Sequence, residues 1–170
     1  MKTFLKGKNI LVTGATGSFG KFFVKEIVRN FKDINRLVIF SRDELKQSQM
    51  AEELNKEGKS KKNYLRFFLG DIREKSRLIR AFEDIDIVIH AAALKQVPAA
   101  EYNPFEFIKT NIFGAENIIQ AAFHAKVKNI ISITIDYLMK NILNRDPYER
   151  FTIDQIYSYI TKNKINFIIN

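Results

Sequence analysis

Residues Gly14-Ala15-Thr16-Gly17-Ser18-Phe19-Gly20 have the types and spacing to hold a phosphate-bearing ligand. The loop follows a short β-branched run, Asn9 to Thr13 (NILVT), and precedes a segment with helical periodicity. In such a turn the first glycine permits a tight bend and the second lets the backbone approach a pyrophosphate. The third allows close packing of helix on strand. Free amides of the first helical turn then face the phosphates at the positive end of the helix dipole. The spacing Gly-x-x-Gly-x-x-Gly departs from the usual Gly-x-Gly-x-x-Gly, and a purely structural turn can have the same composition. Its placement between a strand and an amphipathic helix is what points to a dinucleotide.

The end of the second strand bears on which dinucleotide. An acidic residue directly after that strand hydrogen-bonds the ribose hydroxyls of NAD, whereas an arginine accommodates the 2′-phosphate of NADP. Here Ser41 and Arg42 come first and Asp43 begins the next helix. That order favours NADP over NAD. Its structural alternative is an Arg42 lying on the surface beside an Asp43 that caps its helix.

The elements that must position these residues follow from periodicity. Strands are expected at Asn9–Thr13, Arg36–Phe40, Tyr64–Leu69, Asp86–His90 and Asn129–Ile133, each a nearly continuous apolar run. Between them lie helical segments. One opens at Ser18 with Phe19, Phe23, Ile27 and Phe31 as its apolar stripe. Others span Asp43–Glu57, Glu74–Glu83 (Leu78, Ile79 and Phe82 inward) and a long stretch from Pro104 to Ala125, with Phe105, Ile108 and Ile112 in the core. Alternating strands and helices with apolar strands indicate an α/β fold: a doubly wound parallel sheet, Rossmann-like and truncated after about five strands. The expected division is a dinucleotide-binding domain over residues 1–134 and a divergent, mainly helical tail over 135–170.

Composition narrows the function classes. At 170 residues the chain fits one ordinary domain. It has no cysteine, which excludes disulfides and thiolate chemistry and suits a reducing cytoplasm. The two histidines, His90 and His124, lack metal-ligand spacing. No apolar run approaches the ~20 residues of a membrane span, and Met1 to Lys8 lacks the features of a signal peptide. The net charge of +9 is scattered over polar helix faces, with a single cluster at Lys56–Lys62 that reads as a solvated loop. Neither nucleic acid nor membrane is an expected partner.

The loop, Ser41-Arg42-Asp43-Glu44-Leu45-Lys46-Gln47, Gly70-Asp71-Ile72-Arg73, the stretch His90 to Pro98 (HAAALKQVP) and Glu101-Tyr102-Asn103-Pro104 together resemble one family. It is the inverting UDP-N-acetylglucosamine 4,6-dehydratases of bacteria, extended short-chain dehydrogenase/reductases that make sugar precursors for capsules, O-antigens and flagellin glycans. The resemblance runs from about Lys8 to Ile133. It implies that Asp71 and Ile72 contact the adenine, Asp71 accepting from its exocyclic amine. It also implies that Ala91, Ala92 and Ala93 line the nicotinamide ribose, that Lys95 lies beside cofactor and sugar, and that Asn111 braces the site from the long helix. Each has a plain structural reading: Asp71 as a turn residue, the alanines as packing, His90 as a buried strand-end residue. In the family NADP takes a hydride from sugar carbon 4, the carbon 5 proton and the carbon 6 hydroxyl are eliminated as water, and the hydride returns to carbon 6. A tyrosine in a Tyr-x-x-x-Lys helix and an Asp-Lys pair after the fifth strand carry those proton transfers.

The resemblance stops at Thr134-Ile135-Asp136-Tyr137. Asp136 aligns with the family's acid, but Tyr137 occupies the position of the base lysine. Tyr137, Tyr148, Tyr157 and Tyr159 all lack a lysine four positions on. The tail from Asp136 to Ile156, with its Asp146-Pro147-Tyr148-Glu149-Arg150 turn, resembles the end of a protein kinase C-terminal lobe; Thr152 as a helix cap explains it equally well. Three functions follow: an active nucleotide-sugar dehydratase completed by something else, a folded but inert NADP-binding remnant, or a non-enzymatic partner of an intact homologue through the long helix. The missing dyad and substrate half favour the remnant. Homo-oligomers through the long helix are a further expectation.

Overall fold

The structure, a computed structural model, describes residues 2–56, 64–132 and 166–167. A short helix α1 (Lys2–Leu5) leads into β1 (Asn9–Thr13), α2 (Ser18–Asn30), β2 (Arg36–Ser41), α3 (Glu44–Lys56) and β3 (Leu65–Leu69). Then come α4 (Lys75–Ala81), β4 (Ile87–His90), α5 (Val97–Tyr102), α6 (Pro104–Phe107), a π-helical turn (Ile108–Phe113), α7 (Gly114–His124) and β5 (Asn129–Ser132). Asn166–Phe167 form β6.

The strands lie in the order β3-β2-β1-β4-β5-β6, all pairings parallel. The chain winds outward from β1 in one direction and resumes on its other side at β4. That reversal between β1 and β4 opens a crevice at the carboxyl ends of the strands, where open α/β sheets bind ligands. The doubly wound sheet expected from the strand pattern is therefore present. β6 pairs Asn166 with Asn129 and Phe167 with Ile130, so two tail residues extend the sheet beyond five strands. Residues 133–165, which include Asp136 and the expected tail helices, lie outside the described residues.

Strands β1, β2 and β4 alternate between two cores. Ile10 and Val12 face one, with Val24, Ile27, Val28, Met50 and Leu54 of α2 and α3. Leu11 faces the other, with Leu78, Phe82, Ile118, Ala121 and Ala122 from α4, its end and α7. Among the described residues no helix is long and apolar enough to cross a membrane.

Two packing expectations are corrected. The stripe on α2 holds in part: Ile27 is buried and Phe23 and Phe31 pack half-buried against the core, joined by buried Gly20, Val24 and Val28, while Phe19 is 41% exposed and stacks on Phe23. A Cβ on Gly20 would lie 2.5 Å from the Cα of Ala15. Only glycine lets the helix come this close, and that contact sets the rotation of the whole helix. In the long helix Phe105 is 66% exposed rather than buried, and Ile108 and Ile112 are only half-buried. The π turn adds a residue between Ile108 and Phe113, which shifts the inward phase onto Thr110, Asn111 and then Gly114.

Candidate functional site

A cleft of about 310 Å³ opens at the carboxyl ends of the strands. Its floor is the glycine loop. Gly14 adopts φ +64°, a region that L side chains rarely enter, and a Cβ there would stand 2.6 Å from the Ala92 nitrogen. The turn is closed by the Gly17 amide, which donates to the Gly14 carbonyl at 3.0 Å. Gly17 then caps α2 with no side chain hydrogen-bonded to the helix end. The start of α2 is thus left to its backbone amides, with Gly17 lining the cleft.

The Ala91–Ala93 segment forms the facing wall. It is tied to β1 by the Ala91 amide on the Thr13 carbonyl at 3.2 Å and the Ala92 amide on Thr13 Oγ1 at 3.4 Å. Thr13 Oγ1 is also 2.7 Å from Nδ1 of His90. His90 is a buried strand-end residue, and burial pulls its pKa down to about 4, so it is neutral near pH 7. From the π turn, Asn111 binds the peptide of Leu94, accepting from its amide and donating to its carbonyl, both at 2.9 Å. That is the bracing expected of Asn111.

Charge gathers at the β2 and β3 ends. The Asp43 carboxylate accepts the Lys46 amide at 2.9 Å and pairs with its ammonium at 3.1 Å. Those hydrogen bonds to Lys46 hold its carboxyl below the usual range. Asp43 therefore caps α3, while Arg42 and Lys46 present cations to the same cleft. Arg42 Nη1 lies 3.9 Å from Asp71 Oδ2 with more than half of its side chain exposed. Burial pushes the Asp71 carboxyl up, but hydrogen bonds from the Arg73 guanidinium and amide outweigh it, aided by the charges of Arg73 and Arg42; the net displacement is downward. Arg73 donates to Asp71 Oδ2 from Nε at 2.9 Å and Nη2 at 2.7 Å, and its Nη1 reaches Glu106 at 2.8 Å.

Of the residues selected from the sequence, Gly14, Thr16, Gly17, Ser41, Arg42, Asp71, Ile72, Ala91, Ala92 and Ala93 line one cleft. Ser18, Phe19, Gly20 and Lys95 do not, and Asp136 lies outside the described residues. Gly20 instead packs helix against loop. Six lining residues were not selected: Phe40, Asp43, Lys46, Gly70, Leu94 and Thr110. Lys46, four positions after Arg42 and one turn along, was detectable from helical spacing. Thr110 was not; the π turn carries it inward, and its hydroxyl is buried with no hydrogen-bond partner among the described residues. No group of His, Asp or Glu able to hold a metal ion occurs among the described residues.

Comparison with known proteins adds the following. The family described as polysaccharide biosynthesis protein matches residues 10–144. An inverting UDP-N-acetylglucosamine 4,6-dehydratase of Campylobacter jejuni subsp. jejuni is 53% identical over 130 residues, which is 76% of this chain and 37% of that protein. The X-ray structure of Pen from Bacillus thuringiensis is 41% identical with a TM-score of 0.69, covering 75% of this chain and 38% of that one. A UDP-glucose 4-epimerase from Stenotrophomonas maltophila, crystallised with bound NAD and formylated UDP-arabinopyranose, is 26% identical with a TM-score of 0.61, covering 74% and 36%. The chain spans a little over a third of the length of these proteins.

Proposed function

The chain belongs to the polysaccharide biosynthesis protein family, and on that premise we propose that it binds NADP as the cofactor domain of a nucleotide-sugar 4,6-dehydratase whose substrate is UDP-N-acetylglucosamine. The observation that carries the cofactor is the division of labour after β2. The only carboxylate of the Ser41-Arg42-Asp43 turn, although Asp43 also borders the cleft, is engaged as a helix cap and paired with Lys46, and the cations Arg42 and Lys46 line the same cleft. A ribose diol favours a carboxylate at this place; a 2′-phosphate favours cations.

The residues fit such a ligand. Gly14 and Ala92 lie so close that any Cβ on Gly14 would collide with the wall. The buried Thr110 hydroxyl has a hydrogen bond to offer that no described residue takes up. Gly17 and the first amides of α2 hold the pyrophosphate, Ser41, Arg42 and Lys46 the 2′-phosphate, and Asp71 with Ile72 the adenine. Ala91 to Ala93, with no side chain beyond Cβ, leave room for the ribose of the nicotinamide. When bound, NADP supplies a hydride acceptor and donor. The sugar nucleotide is taken from the dehydratase relative. Tyr137 at the base-lysine position and the lack of any Tyr-x-x-x-Lys favour cofactor binding without turnover by these 170 residues.

Titration of NADPH and NADH fluorescence tests the reading. The chain is expected to bind NADPH at least about tenfold more tightly, or roughly 1.4 kcal/mol, and Arg42→Ala is expected to collapse that ratio. Equal affinities for the two cofactors rule out the NADP assignment, and binding of neither rules out the cofactor. A second reading, association with an intact homologue through the long helix, is favoured by exposed Phe105, Phe113 and Phe123. Sedimentation of the chain mixed with that homologue tests it; independent boundaries rule it out.

A further inference from the structure

We propose that Gln47, which lies behind the cleft wall, is a positioning residue for cofactor selectivity: it fixes the Ser41 hydroxyl so that its proton is offered to the 2′-phosphate. The inference rests on the NADP reading above and deepens it.

Gln47 sits on the first turn of α3 and is 7% exposed. Its Nε2 lies 3.0 Å from the Ser41 carbonyl, 3.0 Å from Ser41 Oγ and 3.2 Å from the Phe68 carbonyl. Two of those partners are carbonyl oxygens, which only accept. The atom facing them must be the carboxamide NH2, so the orientation of the side chain follows from its surroundings. The group has two protons for these three acceptors and shares them among the three; toward Ser41 Oγ it can only donate.

A hydroxyl has one proton and two lone pairs. With Gln47 donating to one lone pair, the proton of Ser41 is directed elsewhere. Ser41 is 8% exposed and lines the cleft next to Arg42, with Lys46 on the same wall. A phosphate is an acceptor with no proton to offer near its oxygens when ionised, so a hydroxyl locked as donor complements it. The resulting charge-assisted bond is roughly twice as strong as one to the neutral 2′-hydroxyl of NAD. Without Gln47, the Ser41 hydroxyl is free to rotate toward the Phe68 or Ser41 carbonyl and point its proton away. Gln47 touches neither cofactor nor cleft; it acts through Ser41.

The test is the NADPH-to-NADH affinity ratio, measured by fluorescence titration on the whole chain. Gln47→Met keeps length and apolar volume but donates nothing, and the ratio is expected to fall roughly fivefold. Gln47→Glu places an acceptor at the same point, draws the Ser41 proton inward and is expected to lower the ratio further. Ser41→Ala alone should match Gln47→Met, and the double variant should lose no more than either. The Ser41→Ala measurement holds even if one Gln47 variant folds poorly, because it leaves both carbonyl contacts of Gln47 in place. Parallel loss of both cofactors with an unchanged ratio, or additive losses in the double variant, overturns the role of Gln47. If the unaltered chain shows no preference for NADPH, the NADP reading fails, and the inference with it.

Discussion

Asn111 and Leu94, seventeen residues apart, are joined by two hydrogen bonds of 2.9 Å, with the carboxamide of the first meeting both the amide and the carbonyl of the second. This pairing closes the segment after β4 against the π turn, and so holds the alanine wall of the cleft in place. It depends on the extra residue of that turn. In an uninterrupted α-helix the inward phase at this point would fall elsewhere.

Asn111→Ala is expected to leave a part-buried amide and carbonyl without partners, at a cost of roughly 1–3 kcal/mol. Urea denaturation should show the lower midpoint, and NADPH affinity should fall with it. A variant as stable as the original chain shows that the pairing braces nothing.

Gly14 and Gly7 have nearly the same backbone conformation, φ +64° and +69°, but different surroundings. A Cβ on Gly7 meets nothing within 4 Å, whereas one on Gly14 meets Ala92 backbone atoms at 2.6 and 2.7 Å. Gly7→Ala should therefore cost only the left-handed penalty, roughly 1–2 kcal/mol. Gly14→Ala adds a collision of backbone with Cβ that no side chain can relieve, and should unfold the chain or abolish cofactor binding. Equal denaturation midpoints for the two variants are the opposing result.

His90 gives the fold an acid-sensitive range. Its pKa is lowered by burial to about 4, against an ordinary value near 6.5 in the unfolded chain. Between those values the unfolded chain holds the proton and the folded chain does not, so stability drops as pH falls from about 6.5 toward 4. The loss is complete near the lower value and is on the order of 3 kcal/mol. Urea midpoints at pH 7.5 and pH 5 should differ for the chain and differ less for His90→Gln. Equal pH dependence in both would assign the loss to other groups.

These 170 residues are expected to produce no dehydrated sugar from UDP-N-acetylglucosamine and NADP. The position of the base lysine holds Tyr137, a phenol instead of an amine. No tyrosine of the chain has a lysine four residues on. Each missing general base typically costs about 10²–10⁴-fold. Mass spectrometry for the loss of one water is the assay. Enzyme-dependent appearance of the keto-sugar would mean that the residues after Ser132 supply catalytic groups of another kind.

Strand order of polarity, the glycine loop and the Ser41-Arg42-Asp43 turn were legible in the sequence because each depends on near neighbours. A continuous apolar run marks a strand of a parallel sheet, even for β3, which stands at the edge with Phe67 and Leu69 exposed, and a glycine between strand and helix serves the turn it is part of. Five strands and ten of the lining residues were readable on that basis. The rotation of α2, the π turn, the inward hydroxyl of Thr110, the link of Gln47 to β3 and the pairing of β6 with β5 were not. Most depend on contact between segments apart in the chain, such as Gln47 against Phe68 on β3, and the rotation of α2 on how closely Gly20 must approach Ala15. Periodicity tells which residues of a helix share a face. Which face turns inward is decided by what it must approach, and on α2 Gly20 turns in against Ala15 while Phe19 stays at the surface.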